Sequence, residues 1–114
     1  MLRPQQLVTA TLLPNAVASQ YTVPAQNKAV IQKLTVCNTD TTTSYAVTIY
    51  LVASGGSPGP TNMVKNTVVL APYETMDVSE AVGHVLNAGD SIQAFADTAS
   101  KVSMRISGWL YTQS

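Results

Sequence analysis

The residues able to do chemistry are few and scattered. The chain holds one histidine, His84, and one cysteine, Cys37. Any serine-nucleophile arrangement would rest on His84, a candidate base for Ser79 or Ser91, and a lone histidine beside serines is usually incidental. A zinc cluster needs four protein ligands, or three and a water, so one Cys and one His cannot build it. Cys37 has Lys33 as its nearest basic neighbour in sequence and reads as a small strand residue, not as an activated thiolate. The six acids, Asp40, Glu74, Asp77, Glu80, Asp90 and Asp97, each sit in or beside a turn signal. They read as turn formers, because acid–base catalysis needs two groups converging on one pocket. Glu74, Asp77 and Glu80 would share a face of a helix, but Met76 and Val78 between them argue for a strand. No closely spaced Asp-x-Asp-x-Asp-Gly run offers a calcium loop. The stretch Ser54-Gly55-Gly56-Ser57-Pro58-Gly59-Pro60 resembles a phosphate loop only in its glycines. Its prolines remove backbone donors and no Gly-Lys-Ser/Thr follows, so it reads as a mobile surface loop over residues 54–62. No catalytic residue, metal or cofactor is therefore expected.

Composition narrows the function classes further. Only 11% of the 114 residues are charged, and the formal net charge is zero, against about 25% charged in ordinary soluble domains. Nucleic-acid binding through phosphate neutralisation needs clustered Lys and Arg, which this chain lacks. A polybasic membrane-surface role is excluded on the same ground. No stretch approaches the ~18 consecutive apolar residues of a membrane-spanning helix. Met1 to Gln6 lacks an apolar run with a cleavage site and is expected to be an N-terminal arm of one domain spanning residues 1–114.

The elements that must position any site are strands. Thr and Val each occur 14 times, and β-branched side chains fit a pleated sheet better than a helix. The pattern predicts an all-β fold: a single-domain antiparallel β-sandwich, jelly-roll-like, of eight or nine short strands. The clearest strand is Lys101 to Thr112. Val102, Met104, Ile106, Gly108 and Leu110 fall on one face; Ser103, Arg105, Ser107, Trp109 and Tyr111 fall on the other. Ser91 to Asp97 alternates likewise, with Ile92, Ala94 and Ala96 inward. Folding the two about Thr98-Ala99-Ser100 predicts a hairpin that sets Ile92 opposite Ile106 and Ala94 opposite Met104. Further strands are expected at Gln6–Leu13, Gln20–Val23, Lys28–Asn38 (Val30, Leu34 and Val36 inward), Ser44–Ala53, Thr67–Leu70, Thr75–Val78 and His84–Leu86. Ser79 to Val82 reads as a single helical turn.

The outer face of the expected hairpin would carry Phe95, Arg105, Trp109 and Tyr111 together. Aromatic residues and Arg dominate protein–protein hot spots, because they bury much area at low entropic cost. These four are the candidate interface. Cover by another part of the same chain is the competing reading. Stacking of sugar rings on Trp109, Tyr111 or Tyr50 is a third.

Two runs carry a resemblance. Val85-Leu86-Asn87-Ala88-Gly89-Asp90-Ser91-Ile92-Gln93-Ala94 and Val102-Ser103-Met104-Arg105-Ile106-Ser107-Gly108 resemble the C-terminal half of small tailed-bacteriophage virion proteins. Thr22-Val23-Pro24-Ala25, the strand that follows it, and the Thr-Ile-Tyr-Leu-Val strand before a glycine-rich loop are similar as well. The resemblance spans about Gln20 to Tyr111. It implies a compact β-sandwich without enzymatic activity, built in many copies into the head, neck or tail of a virion. The partners it implies are copies of the chain itself and major capsid or tail proteins. Capsid decoration or cement is the first expectation, and a neck, tail or baseplate component the second. A carbohydrate- or receptor-binding module is the competing function class.

Overall fold

The computed structural model describes residues 2–112. Within them run nine strands: β1 (Leu2–Leu12), β2 (Ala18–Thr22), β3 (Asn27–Asn38), β4 (Tyr45–Val52), β5 (Met63–Leu70), β6 (Thr75–Asp77), β7 (Val85–Leu86), β8 (Ser91–Ala96) and β9 (Val102–Thr112). One turn of 3-10 helix, Ser79–Ala81, separates β6 from β7. The strands form two antiparallel sheets. Sheet A has the order β1-β9-β3-β6, with β7 also pairing β3; sheet B has the order β2-β8-β4-β5. The chain changes sheet at almost every connection, and only β4 and β5 form a local hairpin. This is the wiring of a jelly roll, as the strand pattern predicts.

β9 lies at the centre of sheet A, and its alternation is the one legible in sequence. Val102, Met104, Ile106, Gly108 and Leu110 are buried, whereas Arg105 and Tyr111 are exposed. Across the core, sheet B contributes Val47, Ile49, Ile92, Ala94 and Ala96, all fully buried. Fully burying one such valine or isoleucine side chain stabilises the fold by roughly 1.5–3 kcal/mol. Leu13, Val23, Val78 and Ala81 plug the ends of the sandwich from the connecting segments.

Two expectations are corrected. The β8–β9 hairpin does not exist. β8 pairs with β2 and β4, while β9 pairs with β1 and β3. The segment between them crosses from one sheet to the other, so Ile92 and Ile106 belong to facing layers, not to adjacent strands. Ser100 takes a left-handed backbone (φ 64°) within that crossing. The second correction concerns Val30, which faces outward. The register of β3 against β9 slips between Ile31 and Lys33, and this bulge inverts the alternation. Ala29 and Ile31 point inward before it, and Leu34 and Val36 after it.

The N-terminal residues Leu2 to Gln6, expected as an arm, pair with Tyr111 to Ser107 as the first half of β1. Met1 lies outside the described residues. The Gly/Pro loop between β4 and β5 is stitched by Asn62. Its Nδ2 donates to Ser57 O at 2.8 Å, and its Oδ1 accepts from Gly59 N at 2.9 Å.

Candidate functional site

Asp40, Glu74 and Asp90 act as turn formers, whereas Asp77 and Glu80 engage side chains of other elements. Asp90 accepts from Asn87 N at 2.9 Å and from Ser54 N at 3.0 Å, tying the β7–β8 turn to the end of β4. Glu74 accepts from Ala71 N at 2.8 Å and closes the turn before β6. Asp77 accepts from Thr35 Oγ1 at 2.8 Å, with Lys33 Nζ at 3.8 Å. Glu80 takes Lys65 Nζ at 2.8 Å, and that hydrogen bond lowers its carboxyl pKa. Asp40 accepts from Thr42 N at 2.9 Å and from Tyr45 Oη at 2.7 Å. These bonds, the Thr42 amide first, lower its pKa to about 2. His84 is exposed beside a groove lined by Leu51, Thr61, Asn62, Met63 and Val64. Among the described residues, no acid lines the groove beside His84. Cys37 is half-buried in sheet A, its Sγ accepting from Thr75 Oγ1 at 3.2 Å. Among the described residues, no group of three or more His, Cys, Asp and Glu could hold a metal ion.

The four candidate interface residues separate. Arg105, Trp109 and Tyr111 stand on the outer face of sheet A, because β9 alternates without interruption. Phe95 stands on the outer face of sheet B, beside Thr48 of β4. The whole thickness of the sandwich lies between Phe95 and the other three. The grouping on one hairpin face is thus corrected, and the cause is the crossing between β8 and β9. Their outward orientation holds: Phe95 and Trp109 are half-buried, and Arg105 and Tyr111 are exposed.

Sheet register builds something around Trp109 that the sequence does not display. Pro4 of β1 pairs with Trp109, Trp109 with Val30 of β3, and Val30 with Val85 of β7. Directly paired residues share a face, so these four side chains form an apolar band across four strands. Val85 is 57% exposed, and Tyr111 borders the band at 41%. Nothing in the described residues of the chain folds over this band. Next to it lies a concavity of about 380 Å³, lined by Lys33, Thr35, Cys37, Ser103, Arg105 and Ser107. The guanidinium of Arg105 has no hydrogen-bond or ion-pair partner among the described residues. Pro4, Val30 and Val85 were missed by sequence reasoning. Val30 was hidden by the bulge, and the other two by the impossibility of reading strand order from periodicity.

Sheet B presents a second outer surface. Tyr50 pairs with Gln93, Thr48 with Phe95, and Ala46 with Val69. Val69 is 60% exposed, whereas Thr48 is buried. Asp97 follows Phe95 at the end of β8, with its backbone N–H bonded to Ala46 O at 3.0 Å. The Cα trace extends 49 × 26 × 20 Å along its principal axes.

No family model matches the chain, and no curated protein sequence matches it. Among solved structures it is similar to a chain of the Bacillus endospore appendages, a family of disulfide-linked pili. The TM-score is 0.56 at 19% identity, covering 99% of this chain and 89% of that one. A chain of infectious bursal disease virus, Gt strain, aligns at a TM-score of 0.39 and 10% identity, over 96% of this chain and 32% of that one. One of the Gx strain aligns at 0.36 and 12%, over 99% and 42%. At these identities the first likeness establishes a shared fold over almost the full length of both chains.

Proposed function

We propose that this chain is a non-enzymatic structural subunit of a repeating protein assembly, and that its place is the capsid surface of a tailed-phage virion, as a decoration or cement protein. The observation that carries the reading is the uncovered band Pro4–Trp109–Val30–Val85 with Tyr111 at its border. Pro4 and Val85 are exposed and Val30 and Trp109 half-buried, and a part-exposed apolar band on a nearly uncharged domain is a cost in solution and an asset in an assembly. Repetition by symmetry then multiplies a modest contact into a strong one. The mode of action is subunit–subunit attachment by burial of aromatic and aliphatic surface.

The likeness to the endospore appendage chain supports self-association as part of that role, and favours a homopolymeric filament as the second reading. The chemistry of such a filament would differ in one respect. A covalent chain of disulfides needs two cysteines per subunit, and these 114 residues contain only Cys37. One thiol per copy can close a pair but cannot propagate, so continuation from copy to copy would be non-covalent.

The test is assembly of the purified chain and of Trp109→Ala. Sedimentation velocity over a concentration series, together with co-sedimentation on phage capsids, should show the wild type associating. Trp109→Ala should keep its far-UV circular dichroism spectrum and lose association. A wild type that stays monomeric and binds no capsid would overturn the reading and leave sugar stacking on Trp109 or Tyr50 to be assayed by fluorescence titration.

A further inference from the structure

The charges of this neutral chain are unevenly placed. The outer face of sheet A carries Lys28, Lys33 and Arg105 against Asp77 alone. Because the whole chain balances, the remainder holds the excess of acid. Most of that acid is occupied. Asp40 and Glu80 engage Lys101 and Lys65, and the carboxylates of Glu74 and Asp90 are taken by backbone amides. Asp97 is the exception. It is exposed at the end of β8, and no hydrogen bond or ion pair engages its carboxylate among the described residues.

Arg105 and Asp97 are therefore an unengaged cation and an unengaged anion on opposite outer faces of one molecule. They cannot meet within it. Each stands beside aromatic surface: Arg105 shares its face with Trp109 and Tyr111, and Asp97, just past the end of β8, follows Phe95 by two residues and lies close enough to Tyr45 for its charge to be felt there. We propose that the outer face of sheet A docks onto the outer face of sheet B of a second copy, with Arg105 meeting the neighbour's Asp97 and the Trp109 band covering the neighbour's Phe95 surface. This deepens the structural-subunit reading and rests on it.

Two observations support that occupant. The first is the charge complementarity just described. The second is register. The chain leaves β8 just before Asp97 and enters β9 at Val102 after a short crossing, so Asp97 and the Arg105 half of β9 lie at the same end of the sandwich. A copy stacked face to face without rotation brings those ends together. Because two different patches meet, the contact is heterologous. Every added copy presents a fresh face of each kind, and growth without rotation continues as an open filament. The single exposed charge pair sets orientation, while the apolar surface supplies the affinity.

The experiment is a charge swap in the full chain, read by sedimentation velocity, with circular dichroism as the check on folding. Arg105→Glu and Asp97→Arg are each expected to weaken self-association ~10-fold or more, through like-charge contact across the interface. The double variant Arg105→Glu/Asp97→Arg restores the pair with its sign reversed, and should recover to within about threefold of wild type. Recovery cannot come from damage to the fold, so it identifies the pairing. If the wild type associates and the single variants match it, or the double variant is no better than the singles, the stacking is overturned and the structural-subunit reading stands. A wild type that is monomeric at every concentration overturns the stacking outright, and capsid co-sedimentation then decides the broader reading.

Discussion

Tyr45 donates its phenolic hydrogen to Asp40 Oδ2 at 2.7 Å, so the strand entering sheet B is moored to the turn that leaves sheet A. The bond favours the ionised carboxylate, and with the Thr42 amide it holds the Asp40 pKa at about 2. A group whose pKa is depressed by folding contributes stability above its unfolded value and loses it as the pH falls through the folded value. For Asp40 that window runs from 3.8 down to about 2. Melting temperatures recorded across this range should fall in the wild type. The fall should be shallower in Asp40→Asn, which has nothing to protonate. Equal acid limbs for the two proteins would show that this mooring contributes nothing to acid stability.

Asn38 is fully buried and fully satisfied. Its Nδ2 donates to Thr43 O at 2.9 Å and to Leu70 O at 3.0 Å, and its Oδ1 accepts from Asp40 N at 2.9 Å. It thereby joins the end of β3 in sheet A to the end of β5 in sheet B. Asn38→Ala leaves two carbonyls and an amide without their partner. The expected loss is about 2–3 kcal/mol in urea unfolding, from the desolvation penalty of the orphaned groups. A loss of only a few tenths would mean that water replaces the side chain.

Tyr21 presents the reverse case. Its hydroxyl is buried without a hydrogen-bond partner among the described residues, and burial raises its pKa. The ring packs against the core, so the hydroxyl is desolvated for no return. Tyr21→Phe keeps the packing and removes the cost. Unfolding free energy should rise by about 1 kcal/mol. A fall on this substitution would point to a partner for the hydroxyl in solution.

Gly108 sits on the inner face of β9, where β1 and β3 both press against it. A Cβ there would collide with the carbonyl oxygen of Val30 and touch Leu7 Cδ1. Gly108→Ala must displace backbone, not a flexible side-chain tip, and is expected to cost about 2–3 kcal/mol. Gly55→Ala is the control. Nothing lies within 4 Å of its Cβ position, and its cost should be confined to about 1 kcal/mol for a left-handed alanine. Chemical denaturation of the two variants side by side distinguishes steric from conformational cost.

Much of the fold was legible because β3, β8 and β9 each bury one face. Val102 to Leu110 could be assigned residue by residue, since alternation survives wherever a strand has a wet side. Alternation cannot report whether two such strands lie side by side or face each other across a core, because both arrangements need the same inward residues. That degeneracy produced the false hairpin of Ile92 with Ile106, and with it the grouping of Phe95 with Trp109. Strand ends were less legible than strand centres. β5 begins at Met63, although Thr67, with a left-handed φ of 51°, interrupts its apolar run. The candidate site was legible in its aromatic members, which composition singles out. Pro4 and Val85 became members only through register, a property of pairs of strands that no single stretch of sequence encodes.

The central place of β9 has a consequence for biosynthesis. β1 and β3 touch through β9 and not through each other, so they wait for a strand roughly a hundred residues behind the first. A nascent polypeptide on the ribosome can pair β3 with β6 and β7 earlier, but can complete sheet A only after Val102 to Thr112 has left the exit tunnel. Until then β1 and β3 expose unpaired edges, and the crowded cell must be kept from supplying a substitute strand.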